Sequence, residues 1–320
     1  MKKMRLFLSI LLIISIATFS NTHLTNDKAQ AAIYINDTTF TLEVGHYRTL
    51  RIHGTSSRAR WHTSNSNVAD ITREGRVIAK SPGKATVTAY VAGTRIRNYV
   101  TVIKLSDTEL TMKSGTTHPL SIIGTDSDIT WKSSDESVVT VSDTGEITAK
   151  EPGAATIIAT VDGKDLDSKV NVFDISQDSV VLEDDGILGI GHIKTLKVKG
   201  ATSKVTWSSS DESVAVVTHN GRVYAKDDGT TTITASINGF KLTSEVRVLS
   251  MSPKWVSFFK GDTKKLQVYG TDSKVVWSSN NEKVATVSSD GTVTGKSPGT
   301  ATIYGFVDGR KVRAKVWVLK

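Results

Sequence analysis

A tryptophan that recurs at a nearly constant interval constrains the fold of this chain more than any other feature of the sequence. The repeated residues are Trp61, Trp131, Trp207 and Trp277, separated by 70, 76 and 70 residues. A valine and then a glycine follow each tryptophan at fixed distances: Val68 and Gly75, Val138 and Gly145, Val214 and Gly221, Val284 and Gly291. A repeat this regular predicts tandem modules of about 70 residues, each large enough for one hydrophobic core.

The repeat divides the chain into an N-terminal segment, residues 1–31, and four modules. We place module 1 at residues 32–104, module 2 at 105–174, module 3 at 175–250 and module 4 at 251–320. Module 3 is six residues longer than modules 2 and 4 because of an insertion between Glu183 and Leu196, which we expect to lengthen an early loop. The joints between modules are short, so the sequence predicts a stiff rod.

Apolar and polar residues alternate in short runs within each module, and the run 311–318 is the clearest. This period of two is typical of half-buried β-strands, and no amphipathic helical segment of ten residues follows the N-terminal segment. Turn dipeptides separate the runs: Glu74-Gly75, Asn220-Gly221, Asp290-Gly291, Asp162-Gly163, Asn238-Gly239 and Asp308-Gly309. Such dipeptides favour tight hairpins in which both central residues have positive φ. We therefore predict an all-β fold in which each module is a β-sandwich, with its tryptophan filling the space between the sheets.

Three motifs together resemble the bacterial immunoglobulin-like domain, group 2. They are the Trp-x-Ser-x-[Asn/Asp]-x-x-Val-Ala run, the Gly-x-[Val/Ile]-x-[Ala/Gly]-Lys strand and the Pro-Gly-x-[Ala/Thr]-Thr-[Ile/Val] strand. The resemblance extends over all four repeats, although module 3 has Asp227-Asp228 in place of the Ser-Pro pair. The family occurs in bacterial surface proteins, including the intimin and invasin adhesins. It implies four tandem Ig-like sandwiches serving as an extracellular scaffold or binding module, and it implies no particular chemistry.

The N-terminal segment has the pattern of an export signal. Lys2, Lys3 and Arg5 precede an apolar run at 6–19, and Ala29-Gln30-Ala31 fits a signal-peptidase cleavage pattern. We therefore predict a mature chain that begins at Ala32 and is secreted to an extracellular location, with the cell wall as one place of association. No second apolar stretch is long enough to span a membrane, so no span is expected in the mature chain.

A search for catalytic chemistry gives no candidate. The chain has no cysteine, and its seven histidines have no metalloprotease spacing. The glycine-rich run 186–191 lacks the βαβ context of a phosphate-binding loop. The acidic pairs Asp135-Glu136 and Asp211-Glu212 occupy the same repeat position. Module 4 has Asn281-Glu282 there, with only one acidic residue, which indicates a structural turn. We therefore predict no enzyme activity, no catalytic residue, no cofactor and no metal site.

Charge is distributed unevenly among the modules. Module 1 has 11 Lys and Arg against 4 Asp and Glu, and module 4 has 12 against 5, so each carries +7. Module 2 has 5 against 13, and module 3 has 8 against 9, which gives −8 and −1. The basic end modules suit an anionic polymer such as a wall polymer or an acidic glycan, whereas the simpler interpretation is solubility and repulsion between modules. Nucleic acid is a less favoured partner because no base-stacking motif is evident.

Module 4 contains an aromatic set that the other modules lack. If its strands alternate as the apolar positions indicate, these side chains all face outward together with two cations, and a one-residue shift in register would turn them inward. The predicted ligand-binding residues are Trp255, Phe259, Tyr304, Phe306, Arg313, Lys315 and Trp317. Exposed apolar surface rimmed by cations is typical of sites that bind a protein or a sugar ring. Docking against module 3 or capping of the module end would explain the same set.

Two hypotheses about function follow. The first is a secreted or surface scaffold or adhesin that contacts a cell-surface protein or glycan through module 4. The second is a protein that binds carbohydrate or an anionic wall polymer through its basic end modules. Ionic strength distinguishes them, because binding to a polyanion weakens steeply with salt and an aromatic contact does not.

Overall fold

The computed structural model describes residues 32–184 and 192–320, and all regular structure in these ranges is β-strand. The predicted signal segment 1–31 and the glycine run 186–191 lie outside the described residues. The first strand of module 3, which precedes the insertion, is longer than its counterparts in the other modules. The backbone amide of His192, which follows the insertion, donates to the Glu183 carbonyl.

Module 1 has nine strands and module 2 has eight. Those of module 1 are β1 (Tyr34–Ile35), β2 (Thr39–Glu43), β3 (Tyr47–Thr49), β4 (Ile52–His53), β5 (Arg60–Thr63), β6 (Ala69–Ile71), β7 (Arg76–Ala79), β8 (Gly83–Val91) and β9 (Thr94–Leu105). Those of module 2 are β10 (Glu109–Lys113), β11 (Thr117–Pro119), β12 (Ile122–Ile123), β13 (Thr130–Ser133), β14 (Val139–Val141), β15 (Glu146–Ala149), β16 (Gly153–Val161) and β17 (Lys164–Ile175).

Modules 3 and 4 repeat the pattern of module 2. The strands of module 3 are β18 (Ser179–Asp184), β19 (Ile193–Thr195), β20 (Val198–Lys199), β21 (Thr206–Ser209), β22 (Ala215–Val217), β23 (Arg222–Ala225), β24 (Gly229–Ile237) and β25 (Phe240–Ser252). Those of module 4 are β26 (Trp255–Phe259), β27 (Thr263–Lys265), β28 (Gln267–Tyr269), β29 (Val276–Ser279), β30 (Ala285–Val287), β31 (Thr292–Gly295), β32 (Gly299–Val307) and β33 (Arg310–Leu319).

Each module is a sandwich of a larger and a smaller sheet. The larger sheet of module 4 has the order β26-β33-β32-β29, and that of module 2 has the order β10-β17-β16-β13. The first and last strands of modules 2–4 run parallel, as do β2 and β9 of module 1, and the other pairs are antiparallel. The smaller sheet has three strands, such as β27-β31-β30. The all-β prediction and the sandwich architecture are confirmed.

The core of each module lies between its two sheets. Equivalent leucines are almost completely buried there: Leu50, Leu120, Leu196 and Leu266. In each module the long strand that precedes the last strand contributes one side chain that faces the leucine. These four side chains have no exposed surface: Val87, Ile157, Ile233 and Ile303. Burial of apolar side chains of this size stabilises each module by about 1.5–3 kcal/mol per residue.

The repeated tryptophans pack at the side of the core, where they are only partly buried. Each lies against the glycine that follows it in the sequence. A β-carbon on Gly291 would lie 2.7 Å from Cζ2 of Trp277 and 2.6 Å from the Leu266 carbonyl oxygen. The glycine is therefore required where the indole and a backbone carbonyl approach together. The prediction that the indole fills the space between the sheets holds only in part.

The two sets of turn dipeptides adopt different conformations. Asp162, Asn238 and Asp308 have φ of 50–51° and a positive-φ glycine after each, which confirms the predicted tight hairpins. In the other set only the glycine has positive φ, so the prediction of two left-handed residues there is wrong. These turns are longer, because Gly75 donates to the Thr72 carbonyl inside a wider loop.

The last strand of a module continues into the next one. Leu105 at the end of β9 pairs with Ile122 of β12, and β17 and β25 pair in the same way with β20 and β28. In module 1 the short strand β1 pairs with β4 at the equivalent place. Each joint is therefore a continuous strand that forms backbone hydrogen bonds within its own module and with the next module. This favours stiffness over a flexible linker.

Replacement of Ala92 by asparagine should stabilise module 1. Ala92 has φ of 49° at a hairpin position where modules 2–4 have Asp or Asn, and an alanine there bears the steric cost of the left-handed region. We expect Ala92→Asn to slow amide hydrogen exchange in β8 and β9 about two- to fivefold, equivalent to roughly 0.4–1 kcal/mol. Asn238→Ala should accelerate exchange in β24 and β25. Unchanged exchange in both variants would contradict this assignment.

Two glycines of module 4 provide a matched pair for the indole contact. Gly291 and Gly309 both have positive φ, but a β-carbon on Gly309 would meet nothing within 4 Å. We expect Gly309→Ala to cost about 1 kcal/mol and Gly291→Ala to cost at least about 2 kcal/mol more. Calorimetry of the full chain measures the difference, with hydrogen exchange assigning the shifted transition to module 4. Equal costs would show that the Trp277 contact places no demand on the turn.

Candidate contact face of the fourth module

The predicted aromatic residues of module 4 share the outer face of its larger sheet. Trp255 and Phe259 point outward from β26, and Trp317 points outward from β33, with exposed fractions of 58%, 58% and 60%. The residues between them, such as Val256 and Val316, point into the core. The strand register thus places this set outward, as the alternation requires.

Two of the tryptophans flank a shallow depression. Trp255 pairs with Lys315 across the parallel strands, and Ser257 pairs with Trp317, so the indoles lie on a diagonal. Between them is a depression of about 330 Å³, and its lining residues are Trp255, Val256, Ser257, Thr300, Lys315, Val316 and Trp317. The Lys315 Nζ donates to the Thr302 Oγ1 at 3.1 Å, which draws the lysine across the sheet.

The other predicted residues extend this face toward module 3. Tyr304 pairs with Arg313, and Phe306 pairs with Lys311. The Nζ of Lys311 lies 3.8 Å from the Tyr304 ring centroid and 5.3 Å from that of Phe306. Sequence reasoning missed Lys311, although the same period of two places it on one face with Arg313. The face thus combines aromatic rings with a row of cations, and at its module 3 end the Glu183 carboxylate accepts from the Lys311 backbone amide at 3.2 Å.

Trp255 and Trp317 are specific to module 4 and are not required by the fold, whereas module 1 has Tyr90 at the position of Phe306. The slot of Trp317 is filled by Thr101, Asn171 and Arg247 in the other modules, and that of Trp255 is filled by Thr39, Glu109 and Ser179. The inward neighbour is valine in all four modules: Val100, Val170, Val246 and Val316. This inward position is therefore constant while the outward position beside it differs.

In modules 1 and 3 the corresponding surface contacts the next module. The Thr41 Oγ1 donates to the Asp162 Oδ2 at 2.7 Å, and Arg247 forms an ion pair with Asp308 at 3.2 Å. The pKa of Asp308 is lowered by a hydrogen bond from Thr271, then by Ser273 and by the charge of Arg247. The depression of module 4 therefore occupies the place where modules 1 and 3 receive the hairpin of the next module.

The described residues offer no alternative site for catalysis by a metal. In residues 32–184 and 192–320, no group of three or more His, Asp or Glu side chains could hold a metal ion. No helix in these ranges is long and apolar enough to cross a membrane. The acidic pair predicted as a turn behaves as one, because the Asp135 carboxylate accepts from the Ser137 amide at 2.9 Å and from its hydroxyl at 2.6 Å. These hydrogen bonds lower the pKa of Asp135.

Sequence comparison identifies the modules. The profile of the bacterial Ig-like domain (group 2) matches residues 28–94, 99–172, 169–246 and 245–317. The chain belongs to this family. The resemblance that the tryptophan, glycine and Pro-Gly motifs implied is confirmed, and tandem group 2 Ig-like modules are consistent with a scaffold at a cell surface.

Individual relatives of this Ig-like array are distant. Ice-binding protein 1 of Shewanella frigidimarina (strain NCIMB 400) is 25% identical over 301 residues, which cover 78% of this chain and 34% of that protein. An uncharacterized protein of Clostridium acetobutylicum is 31% identical over 130 residues, covering 35% of this chain and 13% of that protein. The chain spans about a third or less of the length of these relatives.

Among solved structures, two examples show the extent of the likeness. The surface layer protein SbsC, domains 1–6, is 16% identical with a TM-score of 0.21, and the match covers 91% of this chain and 55% of that one. The insect immune protein hemolin is 12% identical with a TM-score of 0.23, and the match covers 89% of this chain and 99% of that one.

Proposed function

We propose that this chain is a non-enzymatic scaffold or adhesin outside the cell that binds a cell-surface glycan or protein through module 4. The observation that carries the proposal is the pair of exposed indoles, Trp255 and Trp317, on either side of one depression. Monomeric soluble proteins seldom expose contiguous apolar surface without using it for contact. The equivalent slots in the other modules do without aromatic residues, so the fold itself does not explain them.

The chemistry of the face suits a sugar ring or a polar protein surface. Two indoles provide large and rigid apolar contact, and aromatic residues of this kind dominate the energy of many interfaces. The Ser257 and Thr300 hydroxyls line the same depression, and Lys315 adds a charged donor. A ligand that binds there can place apolar C–H surface on the rings while its hydroxyl or carbonyl groups meet these donors.

Two further observations support a binding role over catalysis. None of the residues that line the depression between the indoles has a carboxylate, and general acid–base catalysis needs such a group within hydrogen-bond reach. The group 2 Ig-like family and the export pattern of the N-terminal segment both support a location outside the cell, at the surface or in the wall.

Binding to intact bacterial cells and purified walls tests the proposal. The full chain is compared with Trp255→Ser plus Trp317→Thr, which installs the residues of modules 3 and 1 at the same slots and so preserves the fold. We expect at least a tenfold loss of retention, because each buried aromatic contact contributes on the order of 1 kcal/mol or more. Retention of the parent chain should persist at high salt.

Tyr47→Thr is the matched control. Tyr47 is 60% exposed on the smaller sheet of module 1, and module 2 has Thr117 at its place. It should retain full binding. Equal retention of the double tryptophan variant and the parent would refute the proposed contact face. Enzymatic release of wall sugars by the purified chain would refute the non-enzymatic assignment.

A further inference from the structure

The outer face of the larger sheet in module 1 carries three arginines. Arg95 and Arg97 occupy the positions that Lys311 and Arg313 hold in module 4, and Arg60 occupies that of Val276. Arg60, Tyr90 and Arg95 lie side by side across β5, β8 and β9. The next outward positions along β9 are Arg97 and Tyr99, and both are exposed. His62 lies on the same face, two residues after Arg60 on β5. This arginine face extends over three neighbouring strands.

No carboxylate neutralises the arginine face. Three of the four acidic residues of module 1 are engaged elsewhere: Asp37 with Arg48 at 2.8 Å, Asp70 with Lys80 at 2.6 Å, and Glu43 beside His46 at 3.7 Å. The fourth, Glu74, lies in a turn of the smaller sheet. Among the described residues, Arg60, Arg95 and Arg97 form no salt bridge.

The scaffold does not require this charge. The positions of Arg95 and Arg97 are Asp165 and Asp167 in module 2, with the same pairing between the last two strands. In module 3 they are Lys241 and Thr243. The same sheet face is thus cationic in one module and acidic in its neighbour, so the arginines are not explained by packing.

We propose that the arginine face binds a phosphate-bearing polymer outside the cell, at a site independent of the contact face of module 4. Alternate residues on a strand are about 6.8 Å apart and neighbouring strands about 4.8 Å apart, so the guanidinium groups form a flat array. Each guanidinium offers planar, forked donors that match phosphate oxygens. Phosphate presents oxygens in several directions, so neighbouring arginines can share one group.

The geometry favours a polymer without bases over nucleic acid. Binding of single-stranded nucleic acid combines a basic groove with free aromatic platforms for successive bases. Here the Tyr90 ring already has the Arg60 guanidinium 6.0 Å from its centroid, which leaves Tyr99 as the exposed ring beside Arg97. The face is also part of an open sheet. Repeated charge is therefore the feature that it offers to a ligand.

Binding of inorganic polyphosphate to the full chain tests the proposal. The variant Arg95→Asp plus Arg97→Asp takes its residues from module 2 and should fold normally, as circular dichroism can verify. We expect its Kd for polyphosphate to rise at least tenfold. The slope of log K against log salt should also become shallower by about 1–2, since each lost cation–phosphate contact removes roughly 0.7–0.9.

The matched control is Arg73→Asp plus Arg76→Glu, which changes the net charge equally and installs Asp143 and Glu146 of module 2 in the turn of the smaller sheet. It should retain binding within about threefold. Equal loss in both variants would show a net-charge effect and overturn the site. Tighter binding of polygalacturonate or of single-stranded DNA than of polyphosphate would overturn the choice of phosphate polymer. A loss of wall retention that occurs only in the tryptophan variant concerns the contact face of module 4. It leaves the polyphosphate test of the arginine face unaffected.

Discussion

The contact of each repeated tryptophan with a turn glycine joins the two sheets of every module. The indole belongs to the larger sheet, and the glycine lies in a turn of the smaller one. At Gly145 a β-carbon would lie 2.8 Å from the Trp131 ring, and the Leu120 amide donates to the Gly145 carbonyl at 2.9 Å. One turn therefore fixes an aromatic side chain and the backbone of a core leucine together. Because the chain has no disulfide, this packing holds the sandwich closed.

With the inward side chains fixed by the core, the outward side chains of the larger sheet are free to differ. The parallel pairing of first and last strands keeps that face continuous across four strands in modules that share little surface chemistry. It presents arginines in module 1, aspartates in module 2 and tryptophans in module 4, whereas the inward position beside them on the last strand is a buried valine in all four modules. Function in this array is therefore best sought on these faces.

Much of the architecture could be predicted from the sequence, because it follows from local rules. The period of two predicted the outward position of Trp317, and the Asp-Gly dipeptides predicted the hairpin at Asp308. Other features depend on contacts that no local pattern records. The turn at Gly75 is shaped by the Trp61 ring and the Leu50 carbonyl, so it differs from the hairpins despite a similar dipeptide. The pairing of β9 with β12 and the position of Lys311 over two rings depend likewise on neighbouring strands.

Hydroxyl-radical footprinting of the full chain on purified cell walls tests the central claim most directly, because it reports the solvent exposure of individual aromatic side chains. The account predicts that labelling of Trp255 and Trp317 falls on binding. The structural tryptophans Trp61, Trp131, Trp207 and Trp277 should keep their labelling and so serve as internal controls. Protection confined to the smaller sheets, with unchanged labelling of Trp255 and Trp317, would contradict the claim that the outer faces of the larger sheets make the contacts.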